Sequence, residues 1–283
     1  MRKRILSLAT VLAVMVVMLM PAPVMAASSG GPLVKQVNVY YYNTASKWEQ
    51  FSRYTFTYGN SYPKKYTEVE YSLETQNRLE YKMKKGLPVS AKNFNSTNRN
   101  DTKLKYDKKG RLVKSVYGGL FNKRTITRTY KYNKQGFVTK YSFTDTENSP
   151  GIKTASSWKG TYDYKYTMAK GLPQKMTTTY KEKYSSGDSD TYVYTTAYNS
   201  KGLISSMVDQ GEAGAESTVK YTYKNGKLAS AVVYYKEAGG KATPVKKITF
   251  SYTGGKVKNF RYINMINSFI AGDSDCYGEY NWY

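Results

Sequence analysis

Hydrophobic and polar residues alternate with a period of two through most of this chain. Val219, Tyr221 and Tyr223 fall on one side, and Lys220, Thr222 and Lys224 on the other. Ile248, Phe250 and Tyr252 oppose Lys247, Thr249 and Ser251, while Tyr162, Tyr164 and Tyr166 oppose Asp163, Lys165 and Thr167. Such alternation marks a strand with one face in a core and the other in water. Tyrosine, threonine and valine are all strand formers. Helical patterning is scarce: Thr44 to Phe51 and Ile263 to Ala271 are the segments that could hold a short helix.

The alternating segments recur as a unit of strand, polar turn with glycine, and second strand. It runs from Tyr54-Thr55-Phe56-Thr57-Tyr58-Gly59-Asn60, through Leu79 to Leu87, Leu104 to Leu112 and Tyr130 to Val138, to Tyr164-Lys165-Tyr166 with Gly171-Leu172. Later copies are Tyr198 to Ile204, Tyr221 to Leu228 and Phe250 to Val257. Asn-Gly, Lys-Gly and Gly-Gly pairs supply the positive φ that tight hairpins require. A lone hairpin cannot bury its apolar face, so neighbouring copies must pair edge to edge. The expected fold class is all-β: tandem antiparallel hairpins in a meander of roughly sixteen strands, forming a curled sheet, open barrel or sandwich with tyrosines inside. The stretches Asp145 to Lys159, Ser185 to Asp190 and Gly211 to Glu216 read as long hairpin connections.

Tyr106-Asp107-Lys108-Lys109-Gly110-Arg111-Leu112, followed by Tyr130-Lys131-Tyr132-Asn133-Lys134-Gln135-Gly136, resembles the YD repeat of Rhs-type bacterial surface and toxin-delivery proteins. The resemblance spans most of residues 50 to 262, and the copy at Tyr106 keeps the Tyr-Asp and Gly-Arg-Leu letters together. It implies a β-sheet shell and a link with carbohydrate or surface binding. The family's encapsulating role is not carried over, because this chain is too short for a large shell and shows no appended toxin domain.

Residues 1–26 are expected to be a cleaved secretory signal. Arg2, Lys3 and Arg4 precede a nearly unbroken apolar run from Ile5 to Met20, then Pro21, Pro23 and Val24-Met25-Ala26. The run of about 16 residues is short against the roughly 20 of a spanning helix, so no stable membrane insertion is expected after cleavage. Residues 27–50 then form an N-terminal linker and first strand, 51–262 the hairpin-repeat domain, and 263–283 a C-terminal extension or final strand. The expected location is extracellular, with association at a cell surface.

Catalytic chemistry finds little support. The chain has no histidine, which removes the usual general base and every Ser-His or Cys-His arrangement. Cys276, the sole cysteine, sits beside Asp273 and Asp275, which would raise its pKa. Gly272-Asp273-Ser274 resembles an esterase motif without the histidine that chemistry needs. Glu68 with Glu70 reads as a solvated pair beside Lys64, Lys65 and Arg78, and Asp188 with Asp190 lacks the further oxygens of a calcium loop. No enzyme activity, cofactor or metal is therefore expected.

Charge changes the picture more than any motif. Lysine and arginine total 44 against 20 acidic residues, a formal net charge of +24. Such a field recruits polyanions. Lys103, Lys105, Lys131, Lys165, Lys220 and Lys247 all fall on the wet side of their strands and are the candidate binding residues. The expected partner is an anionic cell-wall polymer or polysaccharide, with nucleic acid as a second anionic class. Two other readings compete with this secreted binding protein. An outer-membrane β-barrel would use an even strand count and the aromatic end Tyr280-Asn281-Trp282-Tyr283, but its lipid face would be crowded with tyrosine hydroxyls. The other is an unrecognised secreted hydrolase.

Overall fold

The computed structural model describes residues 31–271, apart from 44, 60–61, 72–74, 85–86, 95–98, 120–123, 135–136, 148–155, 170–171, 211–214 and 258. The expected signal segment and Cys276, with its flanking Asp273 and Asp275, lie outside the described residues.

Sixteen strands follow one another: β1 (Gly31–Tyr42), β2 (Trp48–Gly59), β3 (Tyr62–Glu70), β4 (Thr75–Lys84), β5 (Leu87–Phe94), β6 (Arg99–Tyr106), β7 (Leu112–Gly119) and β8 (Thr125–Tyr132). They continue as β9 (Val138–Glu147), β10 (Ser156–Ala169), β11 (Leu172–Tyr184), β12 (Ser189–Tyr198), β13 (Ile204–Asp209), β14 (Glu216–Lys224), β15 (Lys227–Lys236) and β16 (Thr243–Val257). One helix, α1 (Asn259–Ala271), ends the described chain. Every strand pairs antiparallel with its neighbours in sequence, as the all-β meander requires. The first strand also pairs with the last, from Gly31 opposite Val257 to Tyr41 opposite Lys246, so the sheet closes into a barrel.

Two sequence expectations need correction. The helix that Thr44 to Phe51 could hold is absent from the described residues 45–51: a turn leads into β2, where Trp48 pairs with Tyr42. The short helix that Ile263 to Ala271 could hold is present and starts four residues earlier, after the last strand ends at Val257. The connection drawn from Asp145 to Lys159 is also shorter, since strand pairing carries on to Glu147 and resumes at Ser156.

A meander gives the barrel two unlike ends. At one end the connections are the short repeat turns. There Asp107, Asn133 and Asn199 do the same work: each backbone N–H donates to a carbonyl four residues on, at Arg111, Phe137 and Leu203. Their side-chain oxygens accept from the turn amides, Asp107 from Lys109 and Arg111, Asn133 from Phe137, and Asn199 from Lys201 and Leu203. This is local side-chain capping of a turn, the role for which Asp and Asn are suited. Asn225 and Gly226 both adopt positive φ, 50° and 72°, in the two-residue hairpin between β14 and β15. The longer connections gather at the opposite end.

Burial follows the alternation. Tyr130, Tyr141, Tyr162, Tyr164, Tyr180, Tyr194 and Tyr198 are buried, while their strand neighbours are exposed or half-buried. The buried face is the inside of the barrel, because α1 touches β1, β16 and β13 as a chord across it. Round barrels of sixteen strands leave an open channel; here rings and the helix fill the space at the turn end. Phe269 packs edge-on to Tyr54, with centroids 4.9 Å apart. Asn267 clamps the β12–β13 turn, donating to the Gly202 carbonyl at 3.0 Å and accepting from the Ile204 amide at 3.0 Å.

Tyrosine recurs at strand ends for a specific reason. Tyr58, Tyr132, Tyr166, Tyr221 and Tyr252 each donate a hydroxyl to a backbone carbonyl at or near the start of the preceding strand: Val34, Leu112, Val138, Ile204 and Leu228, at 2.5 to 2.9 Å. A phenylalanine would fill the same volume and leave that carbonyl without its partner.

Candidate functional site

The outer wall is built from the polar half of each alternating strand. On β8 and β9 it presents Thr127, Thr129, Lys131, Lys140, Ser142 and Thr144, and on β10 and β11 Lys159, Thr161, Asp163, Lys181 and Lys183. All six lysines singled out in the sequence stand on this outer surface. Lys103, Lys105, Lys131, Lys165 and Lys220 are exposed and Lys247 is half-buried. They do not form one patch. Lys103, Lys105, Lys131 and Lys165 lie on the wall from β6 to β10, whereas Lys220 and Lys247 lie on the far wall, flanking Val232.

The two walls differ in what their lysines touch. On the far wall and its turns, four ammonium groups lie over or near aromatic faces: Lys220 over Tyr234 at 4.8 Å, Lys201 over Tyr223 at 4.0 Å, Lys227 over Tyr252 at 5.7 Å, and Lys247 near both Tyr40 and Trp48 at 5.9 Å. On the β6–β11 wall, lysines stand directly opposite lysines. Lys105 faces Lys114, Lys131 faces Lys140, and Lys159 faces Lys183 across adjacent strands. Lys140 has an ion pair with Asp163 at 3.4 Å. Like charges directly opposed on neighbouring strands destabilise a sheet. Sequence reasoning did not single out Lys114, Lys140, Lys159, Lys181 and Lys183, because a facing pair depends on register between strands.

The interior at the loop end is polar. Arg124 grips Asp145 through two guanidinium nitrogens, Nε to Oδ1 at 3.0 Å and Nη2 to Oδ2 at 2.5 Å. Glu182 is buried and accepts on Oε2 from Trp158 Nε1 at 3.0 Å and from the Tyr180 hydroxyl at 2.5 Å. Below it, Tyr130, Tyr141, Tyr162, Tyr180 and Tyr192 form a ladder across five strands, with centroids 4.1 to 5.9 Å apart. Burial holds the phenols of Tyr141, Tyr162 and Tyr180 well above their ordinary value. Lys246 is buried on the inner side of β16 in the far wall, with its ammonium 5.9 Å from the Tyr41 ring, and burial lowers its pKa to about 7. At the turn end, burial works to raise the Asp107 carboxyl. The Arg111 amide and guanidinium and the Lys109 amide outweigh that and hold it below its ordinary value.

Of the carboxylates weighed as chemical pairs, Asp188 and Asp190 are the pair whose side chains are described. Asp188 accepts from Ser186 Oγ within its loop at 2.8 Å, and Asp190 stands opposite Glu182. The side chains of Glu68 and Glu70 lie outside the described residues. Among the described residues, no group of three or more His, Cys, Asp or Glu could hold a metal ion. No helix among them is long and apolar enough to cross a membrane.

No protein-family model matches the chain, and no curated relative does. Among solved structures, the chain is similar to a porin-like protein from Bacteroides uniformis ATCC 8492. The identity is 13% and the TM-score 0.36, over 80% of this chain and 99% of that one.

Proposed function

We propose that this chain is an exported binding protein that holds an anionic polysaccharide or cell-wall polymer against its lysine-rich outer wall. The observation that carries the reading is the set of directly opposed lysine pairs, Lys105–Lys114, Lys131–Lys140 and Lys159–Lys183. Like charges opposed in this way disfavour the free protein, least at Lys140 with its ion pair to Asp163, and a polyanion lying over the wall would relieve that repulsion while releasing its own counterions. The excess of 44 basic over 20 acidic residues supports the same partner. The leader-like residues 1–26 support export. The lack of histidine and the hydrogen-bonded state of Glu182 and Asp145 favour binding over catalysis.

Outer-membrane barrels also close a meander of even strand number, but they turn an apolar band outward. This wall turns threonine and lysine outward and tyrosine inward, which favours water around the barrel. The test is retention of the purified chain on heparin, teichoic acid, DNA and a neutral glycan across a salt series, without detergent. Retention on the anions that falls steeply with salt supports the reading. Salt-insensitive retention on the neutral glycan, or a need for detergent to keep the chain in solution, overturns it.

A further inference from the structure

We infer that the polymer lies along the strands over β8 and β9, on a floor of hydroxyls between two banks of lysine; this inference rests on the function proposed above. The first bank is Lys103, Lys105 and Lys114 on β6 and β7, and the second is Lys159, Lys181 and Lys183 on β10 and β11; all six are exposed. Register places the banks on common rows. Lys103 leads through Val116, Thr127 and Thr144 to Lys159 and Lys183. Two residues lower, Lys105 and Lys114 lead through Thr129, Ser142 and Thr161 to Lys181. Three strand spacings separate β7 from β10, about 14 Å along the wall. Lysine side chains rising from either side give a shallow trough of about that width, floored by Thr127, Thr129, Ser142 and Thr144.

Three features select this strip. Four of its six bank lysines face one another, while Lys201, Lys220, Lys227 and Lys247, on the far wall and its turns, lie over the rings of Tyr223, Tyr234, Tyr252, Tyr40 and Trp48. Its acidic neighbours sit at the margins: Asp101 opposite Lys92 and Gly118, and Asp163 already paired with Lys140. Its floor offers hydroxyls that can donate to and accept from a hydroxyl-rich chain, whereas the rings on these strands point inward, away from any base that would stack on them. The ligand class is therefore an anionic glycan, and single-stranded nucleic acid is disfavoured.

Two matched sets of four exposed or half-exposed lysines test the placement, with heparin as the probe and single-stranded DNA and neutral dextran as comparison arms. One set is Lys105→Gln, Lys114→Gln, Lys159→Gln and Lys183→Gln; the other is Lys201→Gln, Lys220→Gln, Lys227→Gln and Lys247→Gln. The bank set should weaken heparin binding at least tenfold and flatten the log–log salt dependence by roughly three. The far-wall set should change affinity less than about threefold. Thr129→Val with Thr144→Val should weaken heparin binding severalfold with the salt slope intact. Equal losses in the two lysine sets overturn the strip while leaving polyanion binding standing. Tighter binding of single-stranded DNA than of heparin overturns the glycan assignment. Absence of salt-dependent heparin retention in the unsubstituted chain overturns the underlying function. Thermal melts of each set confirm that folding is kept.

Discussion

The hydroxyl of Tyr132, on β8, donates to the carbonyl oxygen of Leu112, the first residue of β7, at 2.5 Å. Four further tyrosines repeat the relationship around the turn end. In these five cases the tyrosine fills core volume with its ring and secures the preceding strand with its oxygen.

Tyr132→Phe and Tyr221→Phe should each lower stability in urea by about 1 kcal/mol, since a half-buried carbonyl loses its donor. Tyr223→Phe, at a ring 40% exposed, should change it by less than about 0.5 kcal/mol. Equal effects at all three positions would show that the hydroxyl bonds contribute nothing specific.

Gly160 tests the ladder. A Cβ there would meet Phe143 ring atoms at 2.3 and 2.6 Å and the Tyr180 ring at 2.9 Å. Gly160→Ala should therefore destabilise by about 1–3 kcal/mol and alter the near-ultraviolet tyrosine signal. Gly118→Ala, whose Cβ would meet nothing nearer than 3.9 Å, should be neutral or slightly stabilising.

Asn267→Ala removes both clamp bonds and leaves the buried Gly202 carbonyl and Ile204 amide without that partner. A loss of about 2–4 kcal/mol is expected, along with faster proteolysis at the C-terminal helix. Asn267→Asp, which keeps an acceptor for the Ile204 amide, should retain part of the stability at neutral pH. Full stability in Asn267→Ala would show that the helix is held by its apolar face alone.

Lys246 should make stability depend on pH. Its pKa falls from 10.5 in the free side chain to about 7 in the fold because burial disfavours the ammonium. Between those values the unfolded chain holds the extra proton, so stability should rise with pH across the window. Above pH 10 the buried phenols act in the opposite sense: they stay neutral in the fold but ionise in the unfolded chain. Urea titrations from pH 7 to 9.5 should show the rise, and Lys246→Met should flatten it. An unchanged slope in Lys246→Met would assign the dependence to other groups.

Much of this architecture was legible because alternation is local. The phase of Tyr162 against Lys165, or of Ile248 against Lys247, states which side chain meets the core, and the fold keeps that phase. Lys246 was also within reach: it is in phase with Ile248 and Phe250, one step beyond where the pattern was drawn. Arg128, between Ile126 and Tyr130, and Glu182, two residues after Tyr180, obey the same rule. Closure of β1 on β16 was not legible, since nothing near Val37 announces Phe250 as its partner. The facing lysines were hidden for the same reason. The helix at Thr44 to Phe51 failed because Trp48 and Phe51 fit strand pairing with β1 as well as they fit a helical turn, and long-range pairing decided.

Closure between β1 and β16 fixes the order in which this protein can mature. The outer edge of β1 has no final partner until β16 is made, so the first of the sixteen strands is among the last to be sealed. Contacts of such long sequence separation slow folding, and an open strand edge invites pairing with other chains in the meantime. Like charges repel, so the lysines along the wall would oppose such pairing between half-finished copies.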